Sequence, residues 1–402
     1  MATRRGFLKS TLRNASLLAT APAVPGFLAA TARSVEPKAD GRVLVVIQLD
    51  GGNDGINTVV PFRDDGYARN RKALRLETGK LIKVTDSAGL HPSLTGAADL
   101  IQRGELAIVQ GVGYPNPSRS HFRSMAVWHS ARLDPEEHGG PGWLGRVFDK
   151  RLAAGDSAGS YFIGEGMPPE ALIGHRSAPA VLERQEDLIL TNAKGSRQDD
   201  VTTPAGDDLV AFVKRTTLDA YATADRVAEM AGAKAQADPG SAEGLTGRLA
   251  LIARLMKSGV RARVFYTQQG SYDTHAGQLN THAILLAELS RALKEFQHEL
   301  ESSGLADRVA VLCFSEFGRR LAENDSGGTD HGTAGPLILA GKHVRPGLIG
   351  EAPNLTDLED GDPRMTVDFR RVYAAVLRDW LGILPADALG GTFDPLPLFR
   401  TS

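Results

Sequence analysis

Ser315-Glu316-Phe317-Gly318-Arg319-Arg320, with Gly328-Thr329-Asp330-His331-Gly332 shortly after it, decides how the chain is read. The first segment follows Arg308–Phe314, continuously apolar from Val309 on, and the second leads into Pro336–Ala340. Such runs mark strands buried on both faces of a parallel sheet. In open α/β sheets ligands collect beyond the carboxyl ends of the strands. Glu316, Asp330 and His331 therefore stand where hard-metal ligands would stand.

Other strand ends carry the same kind of residue. Val43–Leu49 runs straight into Asp50-Gly51-Gly52-Asn53-Asp54-Gly55, which places Asp50 as a ligand; the segment also reads as a capping turn. Ala262–Thr267 leads to Gly270-Ser271-Tyr272-Asp273-Thr274-His275, where Asp273 and His275 can turn toward one ion. Leu106–Val112 ends in a loop that Pro115 and Pro117 hold extended, and a helix starts near Ser120. Ser118 and Ser120 thus lie at a helix N-terminus, where backbone N–H groups and the dipole favour an anion. A plain N-cap role for one of them is the alternative. Arg119 and Arg123 add donors suited to phosphate or sulfate.

Helical spacing predicts helices over 92–104, from about 120 through His129, and over 139–152, 207–232, 245–258, 275–303 and 368–381. His298 reads as a surface residue of the long helix, and the role of His282 stays open. Strand, helix, strand from 43 to 112 is the βαβ unit of a parallel sheet. The expected fold is α/β, a mostly parallel central sheet flanked by helices in three layers. It forms a single domain over 33–402 with insertions around 61–90, which shows no clear period, and 155–240.

The 402 residues are 42% hydrophobic and 23% charged, enough for a full core without staples. Formal net charge is −2 with no block of like charges, which excludes a nucleic-acid partner or an anionic membrane surface as the expectation. Thr3-Arg4-Arg5-Gly6-Phe7-Leu8-Lys9, the apolar run Ala15–Ala30 and Ala30-Thr31-Ala32 resemble a twin-arginine export peptide over residues 1–32. Its removal leaves 42 basic against 48 acidic side chains, a net charge of −6. The implied partner is the twin-arginine export machinery, and the implied location is the periplasm or the extracellular space. No transmembrane segment is expected in the mature chain. Cys313 is the single cysteine, so no intramolecular disulfide forms.

Asp50, Asp273, His275, Glu316, Asp330 and His331 mix carboxylate with imidazole and include no thiolate. That suits a divalent ion, zinc, manganese or calcium, rather than a structural cysteine site. Six such groups could hold two ions close enough to clamp both oxygens of a displacement at phosphorus. A serine at the helix N-terminus would be the nucleophile.

Leu49-Asp50-Gly51-Gly52-Asn53-Asp54, Asn116-Pro117-Ser118-Arg119-Ser120-His121-Phe122, Asp273-Thr274-His275-Ala276, Ser315–Arg319 and Gly328–Gly332 resemble the signatures of the bacterial domain-of-unknown-function family fifteen-oh-one over nearly the whole chain. That family resembles the alkaline phosphatase and sulfatase superfamily, which implies a mostly parallel sheet with one or two metals at its strand ends. The resemblance implies Ser120 or Ser118 as nucleophile with Arg119 and His121 beside it, and Asp50, Asp273, His275 and His331 as ligands. Pro115 occupies the nucleophile place of a formylglycine sulfatase, and Glu316-Phe317 stands where relatives carry Asp-His. The implied function is a metal-dependent hydrolase of phosphate or sulfate esters acting on an anionic small-molecule or saccharide ester. The alternative is a non-catalytic exported binding or scaffold protein on the same fold.

Overall fold

The structure, a computed structural model, describes residues 41–134, 140–154, 158–182 and 244–400. The expected export peptide and the expected helix over 207–232 lie outside the described residues, as does most of the expected insertion over 155–240.

The strand expected from Val43 to Leu49 forms as β1, and every residue of it is buried. Its side chains alternate: Val43, Val45, Ile47 and Leu49 enter one core, Leu44 and Val46 the other. This two-residue period in an apolar run requires cover on both faces. The sheet comprises β1 with β2 (Leu106–Gly113), β3 (Gly159–Ile163), β4 (Ala180–Leu182), β5 (Ala262–Gln269), β6 (Val309–Phe314), β7 (Gly335–Ala340), β8 (Gly347–Ile349) and β9 (Val367–Asp368). Their order is β8-β2-β7-β6-β1-β5-β3-β4, with β9 also pairing β2. β3 and β4 belong to this sheet although their residues were expected within an insertion.

Helices α1 (Thr95–Gln102), α4 (Gly244–Lys257) and α5 (Gln278–Ser302) cover one face. Helices α2 (His121–Ser130), α3 (Trp143–Ala153) and α6 (Phe369–Ala375, continued as a π-helix over Val376–Leu381) cover the other. Three layers result, as expected. The long helix starts three residues later than its spacing predicts, because Gly277 adopts φ 56° and leaves His275 in the preceding loop. The stretch 61–90 is more ordered than its sequence suggests. Ile82–Lys83 and Gly89–Leu90 join Val59–Val60 in a small antiparallel sheet, and a separate core gathers Ile56, Val60, Tyr67, Leu81, Leu321 and Leu355.

One strand runs against the rest. β7 is antiparallel to both β6 and β2, with Ile338 opposite Cys313 and Ile108. The start of β7 therefore lies at the same edge as the carboxyl ends of β1, β2, β5 and β6. This reversal brings residues 328–334 to the edge where Asp50, the 270–275 loop and Glu316 already are.

Candidate metal centre

The glycines after β1 make room for the site. Gly51 and Gly52 have φ of 119° and 84°; a Cβ would come within 2.3 Å of the Asp273 backbone nitrogen at Gly51 and 2.4 Å of the Phe317 ring at Gly52. Both N–H groups point at Glu316, to Oε1 at 2.9 Å and to Oε2 at 3.2 Å. The Ser315 hydroxyl also reaches Oε2, at 2.9 Å. Glu316 is buried, and its Oε1 takes one more donor, Nδ1–H of His121 at 2.7 Å. The carboxylate expected as a metal ligand thus stands behind His121, its oxygens occupied by donors from the protein.

Helix α2 carries His121 in its first turn, and the face that bears it also bears Ser124 and Trp128. Ser124 Oγ–H and Trp128 Nε1–H both donate to the Glu316 carbonyl, at 2.5 and 2.8 Å. The helix is thereby fixed against the loop after β6, and His121 with it.

His331 is oriented in a similar way. Its Nδ1 lies 2.7 Å from the Arg119 carbonyl, which can only accept, so Nδ1 holds the proton and Nε2 presents a lone pair. His275 Nδ1 faces Asp330 Oδ1 at 3.3 Å. The three imidazoles direct Nε2 to one place, around Asp273 Oδ1: His275 at 3.0 Å, His331 at 3.0 Å and His121 at 3.5 Å. His275 and His331 approach each other through Nε2 at 2.9 Å. With the His331 Nε2 lone pair facing it, this contact needs either a proton on His275 Nε2 or a cation among the donors. Ligands about 2.0–2.1 Å from one tetrahedral ion lie about 3.3–3.4 Å apart. His121, Asp273 and His331 offer donor atoms that all lie within 4.8 Å of one another, so these three fit a single divalent ion, with His275 Nε2 beside them.

Arg319 assembles this cluster from beneath. Its buried guanidinium donates to the carbonyls of Gly52 (2.8 Å), Thr329 (2.8 Å), Tyr272 (3.1 Å) and Gly51, and to Asp273 Oδ1 at 2.6 Å. Burial pushes the Asp273 carboxyl upward in pKa, but Arg319 and the imidazoles outweigh it and hold it down at about 2. The hydrogen bond to Glu316 raises His121 above its ordinary value. Arg319 is not among the site residues expected from the sequence. Its place beside Glu316 in the same loop was the available signal.

The remaining expected residues are arranged around the cluster. Asp50 follows β1, receives Gln48 Nε2 on Oδ1, and has its carboxyl pushed up to about 6 by burial, with nearby Glu316 adding to the rise. Asp330 is exposed and holds His275 together with Asn324. Ser120 is the N-cap of α2; its side chain makes no capping bond and is exposed. Ser118 Oγ instead accepts from the Ser120 N–H at 3.2 Å. Arg119 pairs with Asp362. His282, left open from sequence, is buried with Nε2 on Asn53 Oδ1 at 2.9 Å, and His298 is exposed as expected.

Residues 41–380 match the family described as protein of unknown function (DUF1501). The chain belongs to that family. A comparison with curated proteins finds no match. Among solved structures the chain is similar to the lipoteichoic acid synthase LtaP from Listeria monocytogenes, at 11% identity over 84% of this chain and 79% of that one, TM-score 0.36. It is similar to the soluble domain of lipooligosaccharide phosphoethanolamine transferase A from Neisseria meningitidis, at 12% identity over 77% and 79%, TM-score 0.37. It is also similar to a protein in the alkaline phosphatase superfamily from Vibrio parahaemolyticus, at 10% identity over 84% and 72%, TM-score 0.37. No helix among the described residues is long and apolar enough to cross a membrane.

Proposed function

We propose that this member of the family is an exported, metal-dependent hydrolase of phosphate or sulfate esters that works with one divalent ion. The observation that carries this reading is the convergence of three imidazole Nε2 atoms on Asp273 Oδ1. His121, Asp273, His275 and His331 would hold the ion, and three imidazoles with one carboxylate suit zinc or manganese. Such an ion supplies Lewis acidity toward an ester oxygen.

The chain's own groups provide the rest. Ser120 Oγ makes no capping bond at the start of a ten-residue helix, where an anionic ester is favoured. It is the proposed nucleophile, with Ser118 the second candidate. Arg119 orients His331 through its backbone carbonyl, and Glu316 holds the His121 ring in register. Asp50 Oδ2 makes no hydrogen bond among the described residues and lies at the same edge.

Turnover of an aryl phosphate and an aryl sulfate by full-length protein reconstituted with zinc or manganese tests the reading. Ser120→Ala is expected to lower kcat by at least about a hundredfold with metal content unchanged. Unaltered turnover in that variant would move the nucleophile to Ser118. Metal retained with no turnover of either ester would instead support an exported binding protein.

A further inference from the structure

A buried carboxylate beside the metal centre holds two arginines at once. Asp362, wholly buried, accepts Arg119 Nε and Nη2 on Oδ2 at 2.9 and 2.5 Å, and Arg320 Nε on Oδ1 at 3.4 Å. Arg320 Nη2 is tied further to the Asp360 carbonyl. One carboxylate thus serves two guanidinium groups and leaves one positive charge uncompensated by it. Both arginines are about one-third exposed, 37% and 36%, and their Nη1 groups make no hydrogen bond among the described residues.

Both are joined to the candidate ligands through the backbone. The Arg119 carbonyl receives His331 Nδ1–H, and the Arg320 N–H donates to the Asp330 carbonyl at 3.0 Å. The Asn324 side chain, His275 and the Arg320 guanidinium together hold the Asp330 carboxyl below its usual range, so that guanidinium lies on the rim of the centre. Anchoring a hairpin to the loop needs only one arginine. Two, each tethered to one buried carboxylate and each keeping Nη1 donors on a part-exposed side chain, make a receptor for an oxyanion.

We propose that Arg119 and Arg320, held by Asp362, form an anion subsite next to the metal centre, and that the substrate is an ester bearing a second anionic group. This rests on the hydrolase reading for its substrate class but not for the existence of the subsite. A phosphorylated, sulfated or carboxylated saccharide or aryl ester has the required chemistry, and a simple neutral-tailed monoester lacks half of it.

Two measurements test the proposal. In the first, inorganic sulfate is titrated calorimetrically into chelator-treated full-length protein and into Arg320→Gln and Asp362→Asn. Saturable binding in the parent, weakened about tenfold or more in both variants, is expected. Absent binding in a folded parent, or equal binding in all three, overturns it. In the second, the metal-loaded enzyme is given phenyl phosphate and 4-carboxyphenyl phosphate. The carboxylated ester is expected to have a KM about tenfold lower, with the ratio falling toward one in Arg320→Gln. A ratio of one in the parent overturns the substrate class. Turnover of neither ester contradicts the hydrolase reading, and the sulfate titration still decides the subsite; if Asp362→Asn fails to fold, the part-exposed Arg320→Gln decides it alone.

Discussion

Glu316 accepts from the N–H groups of Gly51, Gly52 and His121, so its two oxygens face three nitrogen donors. Glutamine at this position would turn an NH2 against one of them. Glu316→Gln is therefore expected to cost about 1–3 kcal/mol of folding stability in urea denaturation. It should also weaken divalent-metal binding about 10–100-fold in chelator competition, because His121 loses the carboxylate that orients it. Unchanged metal affinity would mean that His121 is not a ligand. At this scale the sequence was half legible. Acidic and imidazole residues just past apolar runs were recognisable, but their division into ligands and supports depends on which way each side chain turns. His121 acquires its part from Glu316, and His331 acquires its tautomer from a backbone carbonyl contributed by a distant loop.

The elements around the centre are joined by Arg71, which has no exposed surface. It pairs with Asp54 at 2.6 and 3.1 Å and donates to the carbonyls of Leu321 (2.7 Å) and Arg320 (2.9 Å), linking the loop after β1 to the loop after β6. Removing one partner of a buried pair leaves the other charge uncompensated. Arg71→Met is expected to destabilise the protein by about 3–5 kcal/mol in urea denaturation, and a loss below about 1 kcal/mol would show that the pair does not hold these loops. Neither this pair nor the direction of β7 was readable in advance. A continuously apolar strand has the same pattern whichever way it runs, so the run before Ala340 predicted a strand but not its reversal. The short strands near 60, 83 and 90 carry too few residues to show a period.

For the whole molecule, buried neutral histidines set an acid limit. Burial lowers His129 to about 3 and His282 to about 4 from an ordinary 6.5, and His91 beside His282 likewise falls to about 4. The unfolded chain thus takes up protons first as pH falls below 6.5, and stability declines until the folded-state values are reached. Each such histidine is expected to remove about 2 kcal/mol between pH 7 and pH 5. Urea midpoints at the two values check this, and a stability that is flat across the interval would contradict it. The three-layer arrangement was the most legible feature of all, since apolar runs such as Val43–Leu49 admit few alternatives to a sheet covered on both faces. The central claim concerns the ion that the edge of this sheet can hold. Elemental analysis of full-length protein, purified gently and reconstituted with zinc, tests it most directly. The account predicts about one divalent ion per chain, lost in an Asp273→Asn, His331→Gln double variant that keeps its circular dichroism. Clearly substoichiometric metal in the parent, or a full complement in that variant, would contradict it.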